Sequence, residues 1–407
     1  MSTRTFIHNA LYNKNYGYFS KNARIFTVPN EAGIPFATLR DGSEFLDHLA
    51  HLYNTFDKSL DENTRQVWHT PTELFKPHYA NSVASYILKE YVADNNEPLR
   101  IYEVGAGNGT MCSGILDFLK QHHPKIYQRT EYVIIEISTK LAGTQKLRVS
   151  GGNESATAKI GGHRVNVINK SIFEWSNVVP DKCFVIAMED NFSHDLVRYT
   201  QDTGEPVQGI VLIDQDGDFQ EAFEPLSDSY IKEYLELRDK WNGGAKRPKV
   251  LSHPILRKIS SLLPFGANLS QAEFLPTMNM RFMQILHQNF PKHRLILSDF
   301  CYLPDTVPGH MGPVVQTRYK GAMVPCSTYL VQPGWFDIFF PTDFEEMAKM
   351  YTTIGNTVDQ ESRYEQRKTQ ILTQKEFLVE NAVGLEACRT KSGEIPMLDF
   401  YENFKFL

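Results

Sequence analysis

Apolar residues along this chain fall into short, nearly continuous runs, separated by stretches where they recur every three or four positions. The runs at 99–104 (LRIYEV), 131–137 (EYVIIEI), 164–168 (RVNVI) and 183–188 (CFVIAM) are too dense for half-exposed strands and too short for helices. They read as buried strands of a parallel sheet. Between the first two, Met111, Ile115, Leu116 and Phe118 keep a helical spacing, so one helix over 111–122 joins them. A further run at 294–300 (RLILSDF) returns the chain to the same sheet. Strands alternating with helices predict an α/β fold with an open, doubly wound sheet.

The flanking pattern is helical. Residues 5–20 begin as a short helix and end in an aromatic-glycine turn; 44–56 carry Phe45, Leu46, Leu49 and Leu52 on one face. A turn built on Pro71 caps a helix running through Phe75 and Tyr79 to about Tyr91. Because these elements precede the first sheet strand, they must cover a ligand site or a sheet edge. The Gly/Ser/Asn stretch 150–162 reads as a loop. Residues 196–199 and 209–213 alternate around a turn with Gly204, which predicts an antiparallel pair. Helices are expected over 230–241, 256–263 and 279–289, with a basic loop at 243–249. After the fifth strand come strand-like segments 328–331 and 335–340, a helix 344–354 with Thr342 as its N-cap, and a short helix 375–380. The division that follows is an N-terminal helical extension (1–95), a nucleotide-binding half (96–220), a helical insertion (221–290) and a completion of the sheet (291–407).

Composition narrows the class. The 407 residues are 42% hydrophobic, enough for a full core, and a net charge of −6 argues against a general nucleic-acid binder. The five cysteines are widely spaced without a C-x-x-C pair, which fits buried thiols in a reducing compartment. No apolar run approaches the roughly 18 residues of a membrane helix. The first 30 residues hold Arg4, Lys14, Lys21 and Arg24 and no acid before Glu31, a bias resembling a mitochondrial transit peptide, while their aromatics and Gly17 read as folded chain.

The candidate chemistry starts at the end of the first strand. Glu103 is followed by Gly105, Gly107 and Gly109, and then by the helix. Glycines let the backbone turn tightly against a ligand, and a helix start offers unpaired N–H groups. A dinucleotide fingerprint would need a third glycine at 110, where Thr110 stands, so a nicotinamide-dependent dehydrogenase is disfavoured. The spacing E-x-G-x-G-x-G instead resembles the first motif of class I S-adenosylmethionine-dependent methyltransferases. Glu136, at the end of the second strand, stands where a carboxylate faces a ribose and repels a 2′-phosphate. After the fourth strand lie Glu189, Asp190, Asn191, His194 and Asp195, where a methyl acceptor would bind. His194 is either a base titrating near neutrality or a surface residue.

Five segments, in order, carry a closer likeness. Residues 6–20 (FIHNALYNKNYGYFS) resemble the N-terminal helix and G-Y-Y turn of the MidA-like methyltransferase family. WHTPTELF (68–75) is similar to its T-S-P-E-I segment, EVGAGNGT (103–110) to its E-L-G-P-G-x-G-T motif, FVIAMEDNFSHDLV (184–197) to its N-E-F-F-D-A-L-P stretch and LSDF (297–300) to its A-D-Y. The resemblance implies a class I methyltransferase (Rossmann-like) fold and S-adenosyl-L-methionine as cofactor. It further implies methylation of protein arginine, a mitochondrial location and a link to assembly of respiratory complex I subunits. It places Glu103, Gly105, Gly107, Gly109, Glu136 and Asn191 around the cofactor, and Asp190, Glu189 and Asp299 at the acceptor. The chain departs from the family at Ala187, where an acid is expected if Asp190 aligns with the family's Asp. That substitution keeps open a second reading, a methyltransferase fold serving as an assembly factor with little or no activity.

Overall fold

A computed structural model describes residues 1–30, 32–61, 64–67, 70–91, 97–150, 159–160, 163–189, 192–242, 268–358 and 368–407. The expected basic loop 243–249, the helix 256–263 and most of the loop 150–162 lie outside the described residues, as do Asp190 and Asn191.

The dense apolar runs do form one sheet. Its order is Leu372–Thr373, Phe404–Phe406, His293–Phe300, Cys183–Met188, Arg100–Val104, Glu131–Glu136, His163–Asn169 and the short Lys159–Ile160. The five strands from His293–Phe300 to His163–Asn169 run parallel, and Phe404–Phe406 inserts antiparallel beside His293–Phe300. Strand order reverses between Arg100–Val104 and Cys183–Met188, the point at which an open α/β sheet parts to admit a ligand. Register is set by apolar side chains on both faces: Val104 lies between Ile135 and Ala187, and Ala187 pairs in turn with Leu297.

Helices cover both faces. Val83 and Ile87 of His78–Glu90, Ile115 and Leu119 of Thr110–His122 and Leu378 of Gln374–Asn381 fill one layer. Met283 and Leu286 of Thr277–Asn289, Met350 and Ile354 of Phe344–Val358 and Tyr234 of Ser229–Asn242 fill the other. Fully burying one such side chain is worth roughly 1.5–3 kcal/mol, so the two layers supply most of the drive to fold.

Among the described residues three small sheets stand beside the core, one of them the parallel pair Ala23–Ile25 and Arg65–Val67. Asp195–Tyr199 and Pro206–Ile213 pair antiparallel around Gly204, extended by Phe219–Pro225 and Glu273–Leu275. Val314–Tyr319 pairs with Ala322–Cys326 and Asp337–Phe339. The N-terminal helix Thr3–Tyr12 packs on this side through Phe6, Ile7 and Leu11. Its Arg4 pairs with Asp195 and Asp228, which fastens this helix to the rest of the fold.

Several expectations need correcting. The helix after Pro71 is two helices, Pro71–Leu74 and His78–Glu90, because the prolyl ring of Pro77 cannot continue a helix. Residues 328–331 form no strand; Tyr329 is instead buried, its hydroxyl on Glu221 (2.8 Å). Asp343, not Thr342, caps the helix at Phe344, accepting the Glu346 amide at 3.0 Å. The segment expected as a helical insertion opens within the strand Phe219–Pro225, and its last helix, Thr277–Asn289, is the crossover between two core strands.

Helix Ser229–Asn242 is fastened to the four-stranded sheet by a buried cation. The Arg238 guanidinium, 2% exposed, donates to Glu273 (2.7 Å) and to the Tyr199 hydroxyl (2.9 Å). Removing it leaves a carboxylate uncompensated. Arg238→Ala is expected to destabilise the protein by about 3–5 kcal/mol. Urea denaturation measures this, and a loss below about 1 kcal/mol would contradict the anchoring role.

Candidate active site

The glycine turn is built by the backbone. Gly105, Gly107 and Gly109 all take left-handed conformations (φ 66°, 53° and 77°), which residues with a Cβ adopt only under strain. The Gly105 amide continues the ladder to the Ile135 carbonyl (3.0 Å); the chain then leaves the sheet, and Gly109 caps helix Thr110–His122. A Cβ on Gly107 would meet Ile25 of the N-terminal segment at 3.2 Å, so backbone passes where no side chain fits comfortably.

Side chains hold this turn in place. Gln145 Nε2 donates both to the Gly107 carbonyl and to Glu136 Oε2, each at 2.9 Å. Glu136 Oε1 accepts the Ser138 amide at 2.8 Å. With a further bond from the Ile137 amide, the carboxylate still keeps acceptor capacity to receive a hydroxyl group. Burial pushes its carboxyl upward from the ordinary value, against the Ser138 and Gln145 bonds. Glu103, 3% exposed, accepts the Tyr132 hydroxyl (2.7 Å), and burial pushes it up to about 7. Glu73 completes the frame: its Oε1 accepts Asn108 Nδ2 (3.0 Å) and Thr110 Oγ1 (2.6 Å).

These groups open onto one cavity of about 780 Å³, within the range of small-molecule sites. Glu103, Gly105, Gly107, Glu136, Glu189 and Asp299 all line it. Gly109 does not; its Cα side faces Gln145 and Arg148. His8, Tyr12, Phe19 and Ile25 of the N-terminal segment close the cavity from one part of the chain; Val314, Gln316, Met323 and Asp337 come from the three-stranded sheet.

Two carboxyl groups occupy the ends of neighbouring strands. Glu189 follows Cys183–Met188 with a left-handed backbone (φ 56°), its amide bonded to the Ser298 carbonyl (2.8 Å). A non-glycine residue in this conformation is uncommon. Asp299, near the end of His293–Phe300, accepts Thr342 Oγ1 (2.7 Å) and the Phe300 amide (2.8 Å). It opens into the cavity, and desolvation there pushes its carboxyl up to about 7. Ala187 contributes nothing to the cavity: it is fully buried between neighbouring strands.

His194 is neither a neutral-pH base nor a surface residue. It is buried, stacks on Phe340 (3.9 Å, 10°), and loses basicity to burial, down to about 3. Asp195 faces away from acceptor chemistry, bound by Arg4 and by Thr277 Oγ1 (2.6 Å). Two members of the site escape a reading of the sequence. Glu73 has the signature of a helix cap, and Gln145 sits in a polar helix with nothing to mark it.

Glu103 links the site to stability. Its folded form favours the proton, so the stability it contributes is present below about pH 4.5 and lost as pH rises through about 7. Glu103→Gln should therefore gain on the order of 1–3 kcal/mol over the natural protein at pH 8 and little at pH 4.5. Urea titrations at the two pH values test this; an equal change at both would locate the cost elsewhere.

The residues present fit an adenosyl sulfonium cofactor. A backbone cradle lies where a side chain would collide, and a buried carboxylate with spare lone pairs ends the second strand. Comparisons with known proteins agree. Over 334 residues the chain is 23% identical to the Schizosaccharomyces pombe protein named "Protein arginine methyltransferase NDUFAF7 homolog, mitochondrial", covering 77% of this chain and 66% of that relative's length. A crystal structure from Burkholderia thailandensis with bound S-adenosyl-homocysteine superposes with a TM-score of 0.57 at 15% identity, covering 100% of this chain and 86% of that one. Residues 82–361, more than half of the chain, match the profile of the family described as "Putative S-adenosyl-L-methionine-dependent methyltransferase". The chain belongs to this family of S-adenosyl-L-methionine-dependent methyltransferases.

Proposed function

We propose that this protein methylates arginine side chains of a protein substrate in mitochondria, in connection with respiratory-complex assembly. One observation carries the reading. Among the described residues the cavity wall holds the carboxyl groups of Glu73, Glu103, Glu136, Glu189, Asp299, Asp305 and Asp337 against the single lysine Lys170. Such a surface attracts cations, and both a sulfonium cofactor and a guanidinium acceptor are cationic. The name of the fission-yeast relative supports the same substrate and compartment.

In this reading Gly105, Gly107 and Asn191 hold the cofactor's amino-acid end, with Gly109 shaping the turn behind them, Glu103 beneath the loop and Glu136 on the ribose hydroxyls. When bound, the cofactor supplies an already activated methyl group. The chain's own work is to hold the acceptor in line and exclude water. Asp190 and Glu189 fix the acceptor nitrogens. Asp299 draws off the proton that an arginine must lose around transfer, because its pKa is above about 12. A carboxyl held near 7 by burial suits that task. Residues 1–95 act as the cap over the cofactor, 96–220 as the cofactor-binding half, and 291–407 as the acceptor side. The 221–290 segment lies between them.

Ala187 favours a second reading, an assembly factor that binds the cofactor without turning it over. No carboxylate reaches the cavity from that position. The two readings separate by combining cofactor calorimetry with proteome-wide mapping of arginine methylation after gene deletion. Loss of a specific methylarginine supports the enzyme; tight binding with an unchanged methylome supports the scaffold. On the identified substrate, kcat/KM should rise with pH through about 7 as Asp299 ionises, and Asp299→Asn should lower it at least tenfold and abolish that limb. A variant that keeps the limb would assign the proton acceptor to another group.

A further inference from the structure

Glu73 is a buried carboxylate whose orientation is not explained by the helix it sits in. It occupies the third position of a turn capped by Thr70, whose hydroxyl accepts the Glu73 amide (3.2 Å). A glutamate there ordinarily reaches back to the amide of the capping residue. Glu376 does so later in this chain, accepting the Thr373 amide at 2.8 Å. Glu73 turns instead to the glycine loop, where Oε1 holds Asn108 and Thr110. Its Oε2 has no hydrogen-bond partner, although the residue is 2% exposed. Among the described residues no cation pairs with it, yet it lines the cavity beside the loop. A buried anion with an unused oxygen is costly unless a positive group completes it.

The cofactor's amino-acid end carries such a group, an ammonium next to its carboxylate. Glu103, the other acid at the loop, also lines the cavity but already accepts the Tyr132 hydroxyl, whereas Glu73 Oε2 has no partner, so Glu103 is the weaker candidate. We infer that Glu73 binds the α-ammonium of S-adenosyl-L-methionine, its second oxygen completing a clamp that begins at Asn108 and Thr110. This rests on the cofactor reading of the cavity. It adds a residue that precedes the first sheet strand, so cofactor occupancy ties the N-terminal segment to the glycine loop.

Calorimetry with two ligands tests it. S-adenosyl-homocysteine carries the amino-acid end; 5′-methylthioadenosine has the same nucleoside without it. Glu73→Gln, close in size and still able to accept at one atom, should weaken S-adenosyl-homocysteine at least tenfold and 5′-methylthioadenosine less than twofold. Equal weakening of both would reduce Glu73 to a support of the loop and overturn the inference, as would no change in either. If the natural protein binds neither ligand, the cofactor reading itself fails, and the inference with it. Should Glu73→Gln not fold, a crystal structure of the natural protein with S-adenosyl-homocysteine decides. The ligand nitrogen within about 3.2 Å of a Glu73 oxygen supports the assignment; a nitrogen held only by Glu103 or by backbone carbonyls overturns it.

Discussion

The geometry of the site depends on a network of buried hydrogen bonds that holds a glycine-rich turn in one conformation. Three glycines within five residues give the unfolded chain more freedom to lose than the same stretch with side chains at those positions would have. The folded turn is fixed from several directions. Ile135 takes the Gly105 amide, Gln145 the Gly107 carbonyl, and Glu73 the side chains of Asn108 and Thr110. Gln145 in turn stands on Glu136, so the two neighbouring strand ends are tied to each other through the loop.

The network is built from acids, and that has an electrostatic consequence. Glu103, Glu136 and Asp299 are all pushed upward by burial, so each opposes folding as pH rises. A protein that accumulates carboxyl groups around one cavity is less stable without a cationic ligand than with one. The family's cofactor carries both a sulfonium and an ammonium. Binding it therefore relieves a strain that the empty fold contains, the usual trade between stability and function at a site.

Around this centre the peripheral elements do structural work of their own. Arg4 brings the N-terminal helix onto Asp195 and Asp228, placing His8 and Tyr12 on the cavity wall. Arg238 fixes helix Ser229–Asn242 onto Tyr199 and Glu273. The Arg4 pairs are partly buried and the Arg238 guanidinium is fully so, and such pairs specify an arrangement more than they stabilise it.

The core sheet was readable in the chain itself, because five apolar runs flanked by helical periodicity have few other ways to be buried. The strand 183–188 appears with the same bounds in pattern and structure, and Glu103 and Glu136 lie at strand ends as their positions required. The glycine spacing likewise carried its own meaning, since only a tight backbone turn uses it. The hairpin Val314–Cys326 and the break at Pro77 were not readable, because short strands and one-turn helices are decided by what packs on them. The same holds for side-chain roles. His194 looks like a titratable base until Phe340, nearly 150 residues away, buries it. Glu73 looks like a cap until the loop at 108–110 folds against it. Local periodicity settles which backbone hydrogen bonds a segment makes; the company a polar side chain keeps is fixed by contacts distant in sequence, and only the tertiary structure decides it.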